Sequence, residues 1–156
     1  MAVAQSTNWN RIIRQAVIAG VVGAIVLHLY LYFSIVRPEN GSMTGLWQWT
    51  ASAAFGKMAF SSPAFIWIGL AMHFVVSMVW AGGYAFLAAT RPYMNQRWVI
   101  SGLAYGVVVC IFMVLIQLGA NVFQWPELPG WFNLFVACSV FFGVPVAFTV
   151  NLMDRA

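Results

Sequence analysis

Residues 63–89 read PAFIWIGLAMHFVVSMVWAGGYAFLAA and contain no Asp, Glu, Lys or Arg. The run stops at Thr90-Arg91-Pro92. As a helix rising about 1.5 Å per residue it would reach about 40 Å. That exceeds the roughly 30 Å hydrocarbon core of a bilayer. A helix apolar on every face has no side to turn toward water, so the segment predicts a membrane span.

Three other segments repeat the pattern. Residues 15–36 lie between Arg14 and Arg37, residues 98–123 end at Gln124-Trp125-Pro126, and residues 131–152 precede Asp154-Arg155. The first is too long for the apolar core of a signal peptide, and no small-x-small cleavage site leads from it into a polar chain. Of 156 residues, 63% are hydrophobic and 6% charged, against roughly 45–50% and roughly 25% in soluble domains. So few charges cannot cover a water-facing surface, which excludes a soluble enzyme and a disordered chain. The net charge of +4 comes from seven basic residues scattered along the chain. They form no stripe that could track phosphates, so nucleic acid is not expected as a partner. The fold class expected is all-α: a single multi-pass membrane domain over residues 1–156, folded as a four-helix bundle.

Basic residues orient such a chain. Arg11, Arg14, Arg91, Arg97 and Arg155 fall on one side, and only Arg37 and Lys57 on the other. Both termini are therefore expected in the cytoplasm. Trp9 and Trp98 at cytoplasmic ends, with Trp67, Trp125 and Trp131 at outer ends, suit interfacial anchors. The first outer connection, residues 38–62, is too polar to span. Leu46, Trp49 and Ala53 would share one face of a short interfacial helix there, capped by Ser42 or Thr44. It reads as a lid over the outer end of the bundle.

Inside a bilayer, helices associate through close backbone contact and polar pairs, so small residues mark inward faces. The expected packing set is Gly20, Gly23 and Ala24 on the first span, Gly69 and Ser77 on the second, Gly102 and Gly106 on the third, and Ser139 and Gly143 on the fourth. Pro145 predicts a kink in the fourth span. Cys110 and Cys138 lie inside apolar runs and read as buried thiols, bridged only if their Cβ atoms face each other.

No Asp or Glu lies inside any span: Glu39 and Glu127 are in outer connections and Asp154 is at the end. No HExxH, GxSxG or P-loop motif exists. A proton-coupled carrier or a carboxylate enzyme would lack its central group. No catalytic residue is assigned, and an enzyme is not favoured. The leading expectation is a non-catalytic subunit or accessory protein, packing against the bilayer, other membrane subunits or a second copy of itself.

The only histidines, His28 and His73, are both intramembrane. Counted from the outer span ends, each lies roughly 12–15 Å deep. Two imidazoles at one depth can ligate a b-type haem from both sides, with Arg37 and Lys57 outward for its propionates. They can also hold a quinone headgroup. Either would make the protein an electron-transfer anchor, and a metal at His28 and His73 is expected only as haem. The plainer alternative is that each histidine ties helices together through a carbonyl or hydroxyl. A third class, a small transporter or lipid-binding protein, would use a polar pathway at Tyr105, Gln117 and Asn121.

The run Trp47-Gln48-Trp49-Thr50-Ala51-Ser52-Ala53-Ala54-Phe55-Gly56-Lys57 ahead of Gly69-Leu70-Ala71-Met72-His73-Phe74, with Gly102-Leu103-Ala104-Tyr105-Gly106 and Phe142-Gly143-Val144-Pro145-Val146-Ala147, resembles the YagU-like proteins. These are small four-span bacterial inner-membrane proteins of unknown function. The resemblance spans about Ala16 to Ala147. It implies the four-span fold and a bacterial inner membrane, supplies no activity, and draws attention to His73. Where related sequences carry a further histidine in the fourth span, Cys138 and Ser139 stand here.

Overall fold

The computed structural model describes residues 8–38, 41–120 and 131–155. Helix α1 (Trp9–Leu31) begins where the Asn8 side chain accepts from the Arg11 amide at 3.2 Å. It continues through a widened, π-helical stretch, Tyr32–Val36. Helix α2 (Met43–Phe55) is capped by Ser42, whose hydroxyl accepts from the Gly45 amide at 3.1 Å. It stops at Gly56, whose φ of 57° favours a residue without Cβ. A tight turn, Gly56–Phe60, leads to α3 (Ala64–Thr90), and the short α4 (Pro92–Gln96) leads to α5 (Trp98–Gly119). The last spanning segment comprises α6 (Trp131–Val136), a π-helical stretch Ala137–Gly143, and α7 (Val144–Arg155).

Every regular element among the described residues is helical. Four helical segments, Trp9–Ser34, Ala64–Thr90, Trp98–Gly119 and Phe132–Arg155, are long and apolar enough to cross a membrane. The protein is an all-α, multi-pass membrane bundle. The first helix starts several residues before the apolar run because the Asn8 side chain caps it at the Arg11 amide. At Pro145 the missing amide hydrogen removes one helical bond. The helix accommodates this with the widened turns of Ala137–Gly143 just ahead of it.

Helix α1 lies antiparallel to α3 on one side and to α6–α7 on the other, while α5 also lies against α6–α7. Two of these seams, α1 with α3 and α5 with α6–α7, close backbone on backbone, and α1 with α6–α7 closes with Gly23 against side chains. A Cβ at Gly20 would come 2.5 Å from Met78 Cα, and one at Gly23 would meet Val146 and Phe142. Gly102 and Gly143 face each other, and Gly106 sits on Cys138 and Ser139. Ala24, Ser77 and Ser139 are buried in the same seams. Helices α3 and α5 stand further apart and are bridged by side chains: Tyr105 donates to the Trp80 carbonyl at 2.6 Å.

The two ends of the bundle differ. Toward the chain termini the core is dense, built on Ile12, Ala19, Tyr84, Phe142, Val146 and Val150. There Asp154 accepts from Arg11, Gln15 and Asn95, tying α1, α4 and α7. At the other end α2 folds back on α3, with the Trp47 carbonyl seated directly on Gly69. Ala51 and Ser52 are fully buried there. Trp9 and Trp67 project from opposite ends of the bundle, while Phe112 and Phe148 are half exposed on its flank. Asn121, Trp125, Glu39 and Glu127, and the end of the expected third span, lie outside the described residues, as does the side chain of Trp131.

Candidate functional site

Helices α1 and α3 bring His28 and His73 together under α2. Nδ1 of His28 and Nε2 of His73 are 3.2 Å apart, with ring centroids at 4.5 Å and planes inclined by 65°. From α2, the Trp47 indole N–H donates to Nε2 of His28 at 2.5 Å. The Ala24 carbonyl on α1 lies 3.1 Å from Nε2 of His73.

The indole fixes the direction of this array, because it can only donate. His28 Nε2 therefore accepts, and an uncharged His28 carries its hydrogen on Nδ1. That N–H in turn donates to Nε2 of His73, which places the His73 hydrogen on Nδ1. The chain of donors runs one way, from α2 through α1 to α3. The Ala24 carbonyl, an acceptor like the nitrogen it faces, gains nothing from this assignment.

The same accounting tests the haem expectation. Nitrogens ligating one iron from both sides stand roughly 4 Å apart, from metal–imidazole distances of about 2 Å. Here they are at hydrogen-bond distance, and His28 Nδ1 bears a hydrogen where a ligand needs a lone pair. The backbone contact of Gly20 with Met78 holds α1 and α3 too close for a macrocycle. Haem does not fit His28 and His73 as they stand. Among the described residues no group of three His, Cys, Asp or Glu side chains gathers to hold another metal.

Beside the histidines is a cavity of about 90 Å³, between α2 and the α3–α5 gap. Its wall is mostly aliphatic and aromatic, interrupted by His28, His73, Thr50, Ser77, Gln117 and Cys138. Among the described residues no Asp, Glu, Lys or Arg lines it. Thr50 donates to the Leu46 carbonyl at 3.1 Å. Gln117 is 1% exposed, and neither its Oε1 nor its Nε2 has a hydrogen-bond partner among the described residues. A buried polar group left unpaired costs about 1–3 kcal/mol, so an amide held this way on a cavity wall calls for a partner that enters the cavity.

Of the three polar-pathway residues expected from sequence, the structure puts Gln117 in the wall. Tyr105 is instead committed to the Trp80 carbonyl, and Asn121 is outside the described residues. Cys110 and Cys138 share a small apolar cluster with Val114 and are free thiols. Sequence reading missed Trp47 as the partner of His28. The expected face of α2, Leu46, Trp49 and Ala53, lines the cavity, and Trp47 and Ala51 form the adjoining face pressed on Gly69. The small residues Ala51 and Ser52 were the available signal. It also missed the meeting of Arg11, Gln15, Asn95 and Asp154, which are far apart in the chain.

No protein-family model, curated protein or solved structure matches this chain. The chemistry of the site is therefore read from its own geometry.

Proposed function

We propose that the protein is a non-catalytic membrane protein that binds the head of a small, uncharged lipid inside its bundle. The bacterial inner membrane, which the YagU-like resemblance implies, is its proposed location, and the basic residues favour cytoplasmic termini. The observation that carries the reading is Gln117. Its amide is buried in the wall of a mostly apolar cavity and has no partner among the described residues. An apolar pocket with a few convergent polar groups is the usual form of a small-ligand site. With no charged side chain in the wall among the described residues, a neutral ligand is favoured, since burying an unpaired ion in such surroundings costs far more than burying a dipole.

The size narrows the choice. An apolar cavity of about 150 Å³ takes one benzene ring; at about 90 Å³ this one takes a chain end or a small polar head. That argues against a quinone ring as occupant. The subunit expectation rests on the apolar outer surface, which any bilayer-facing bundle carries, whereas the unpaired amide is particular to this chain.

The test is native mass spectrometry of protein extracted from membranes in mild detergent. Wild type is expected to carry a lipid adduct of defined mass, and Gln117→Leu to lose it while keeping its helical circular dichroism. A folded wild type with no adduct, or an adduct that survives Gln117→Leu, overturns the proposal.

A further inference from the structure

The arrangement of the wall points to a narrower ligand class, an inference that rests on the lipid-binding reading above. We infer that the site takes a long-chain carboxylic acid in its protonated form, with the carboxyl group paired to both polar atoms of the Gln117 amide.

Gln117 presents a donor, Nε2–H, beside an acceptor, Oε1, and both are unpaired among the described residues. A protonated carboxyl presents the complement at the same spacing: a carbonyl that accepts and an O–H that donates. The two groups close a ring of two hydrogen bonds and satisfy both amide atoms at once. An ester or ketone only accepts and leaves Oε1 unpaired. An alcohol has a single oxygen, which cannot meet both amide atoms in good geometry. A carboxylate also only accepts, and it would be buried with no Lys or Arg in the wall to pair with. Of the acid, carboxylate, ester, ketone and alcohol heads, the neutral acid is thus the one that leaves neither amide atom unpaired.

The rest of the ligand needs a way out to the bilayer. Backbone contacts at glycines close the seams of α1 with α3 and of α5 with α6–α7, and the fully buried side chains of Phe142 and Val146 fill that of α1 with α6–α7. The gap between α3 and α5 is instead filled by side chains that reach the outer flank of the bundle. Trp80 lines the cavity, and half-exposed Phe112 packs against it with ring centroids 5.6 Å apart. Side chains can turn aside where backbones in contact cannot, so the acyl chain leaves between α3 and α5, past Trp80 and Phe112.

The experiment uses the full-length protein in lipid nanodiscs, titrated separately with palmitic acid, hexadecanol and methyl palmitate, and read by native mass spectrometry. The acid is expected to bind at least about tenfold more tightly than the alcohol or the ester, a difference of about 1.4 kcal/mol. Gln117→Leu should erase that preference. This variant is expected to fold, because it removes a buried unpaired amide. Equal binding of all three probes, or a preference that survives Gln117→Leu, overturns the carboxylic-acid assignment and leaves the lipid site standing. If none of the three binds, the lipid-binding reading falls with it.

Discussion

Replacing Gly106 with Ala tests the packing on which the cavity depends. The new Cβ would come 2.5 Å from Ser139 Cα and closer still to the Cys138 carbonyl oxygen. Carbon atoms settle about 3.5–4.0 Å apart, so α5 and the fourth spanning segment must separate by about 1 Å. A gap of about 0.5–1 Å forfeits a quarter to a half of the dispersion energy at each facing contact. Overpacking of this kind costs about 1–3 kcal/mol, and the better helix propensity of Ala returns about 0.8–1 kcal/mol. The expected net loss is about 1 kcal/mol. Gly102→Ala strains the same seam, where its Cβ would lie 2.8 Å from the Ala147 methyl. Once the first substitution has parted the helices, the second finds room, so the double variant should lose less than the sum by about 0.5 kcal/mol or more. Gly119→Ala, with nothing within 4 Å of the added atom, is the control and should lose nothing. Unfolding in mixed micelles of rising dodecyl sulfate fraction, followed by circular dichroism, gives all four free energies. Gly106→Ala as stable as the control, or a double variant that loses the full sum, would refute the backbone-contact account of this seam.

Three other outcomes are expected. Trp47→Phe removes the donor to His28 and should cost about 0.6–1.7 kcal/mol, the range for polar contacts between membrane helices. Nitrogen-15 shifts should show the Nδ1–H tautomer of His28 in the wild type, and an Nε2–H signal there contradicts the donor direction. Asp154→Ala strips the acceptor from Arg11, Gln15 and Asn95 and should cost about 1–3 kcal/mol. The Arg11 share is small, because that side chain is 48% exposed. Arg155→Gln disturbs only a contact with Asn151 one turn away; its unfolding midpoint should hardly move, and equal losses for the two variants would contradict the tie between α1 and α7. Finally, purified protein should be colourless between 380 and 450 nm, a window of roughly the haem Soret region. A band there that disappears in both His28→Leu and His73→Leu would show that the histidines hold haem after all.

Counting along the helices carries sequence reading a long way in this chain. His28 and His73 sit at one depth because each is a similar number of residues from the end of its span nearer α2, and the structure sets their rings in contact. What counting could not supply was the third partner. Trp47 comes from a helix that a span search rejects as too polar, and only the seating of its carbonyl on Gly69 brings the indole down to His28. Gln117 was visible as one polar residue in an apolar run, yet its lack of a partner depends on every neighbouring helix at once.

The sequence by itself determined the solvent and the secondary structure. With 6% charged residues and long apolar runs, the chain must lie in lipid, where every backbone N–H and C=O has to be paired inside the protein, and runs far longer than the roughly 9–11 residues of a barrel strand leave the helix. Only the tertiary structure decided which faces meet. The oil exerts no hydrophobic pull of one helix toward another, so rotation about each axis is set by short-range fits such as Gly102 on Gly143 and Trp47 on Gly69. Those fits fix the direction of the histidine array and leave a space beside Gln117, because they depend on shape complementarity between segments distant in the chain.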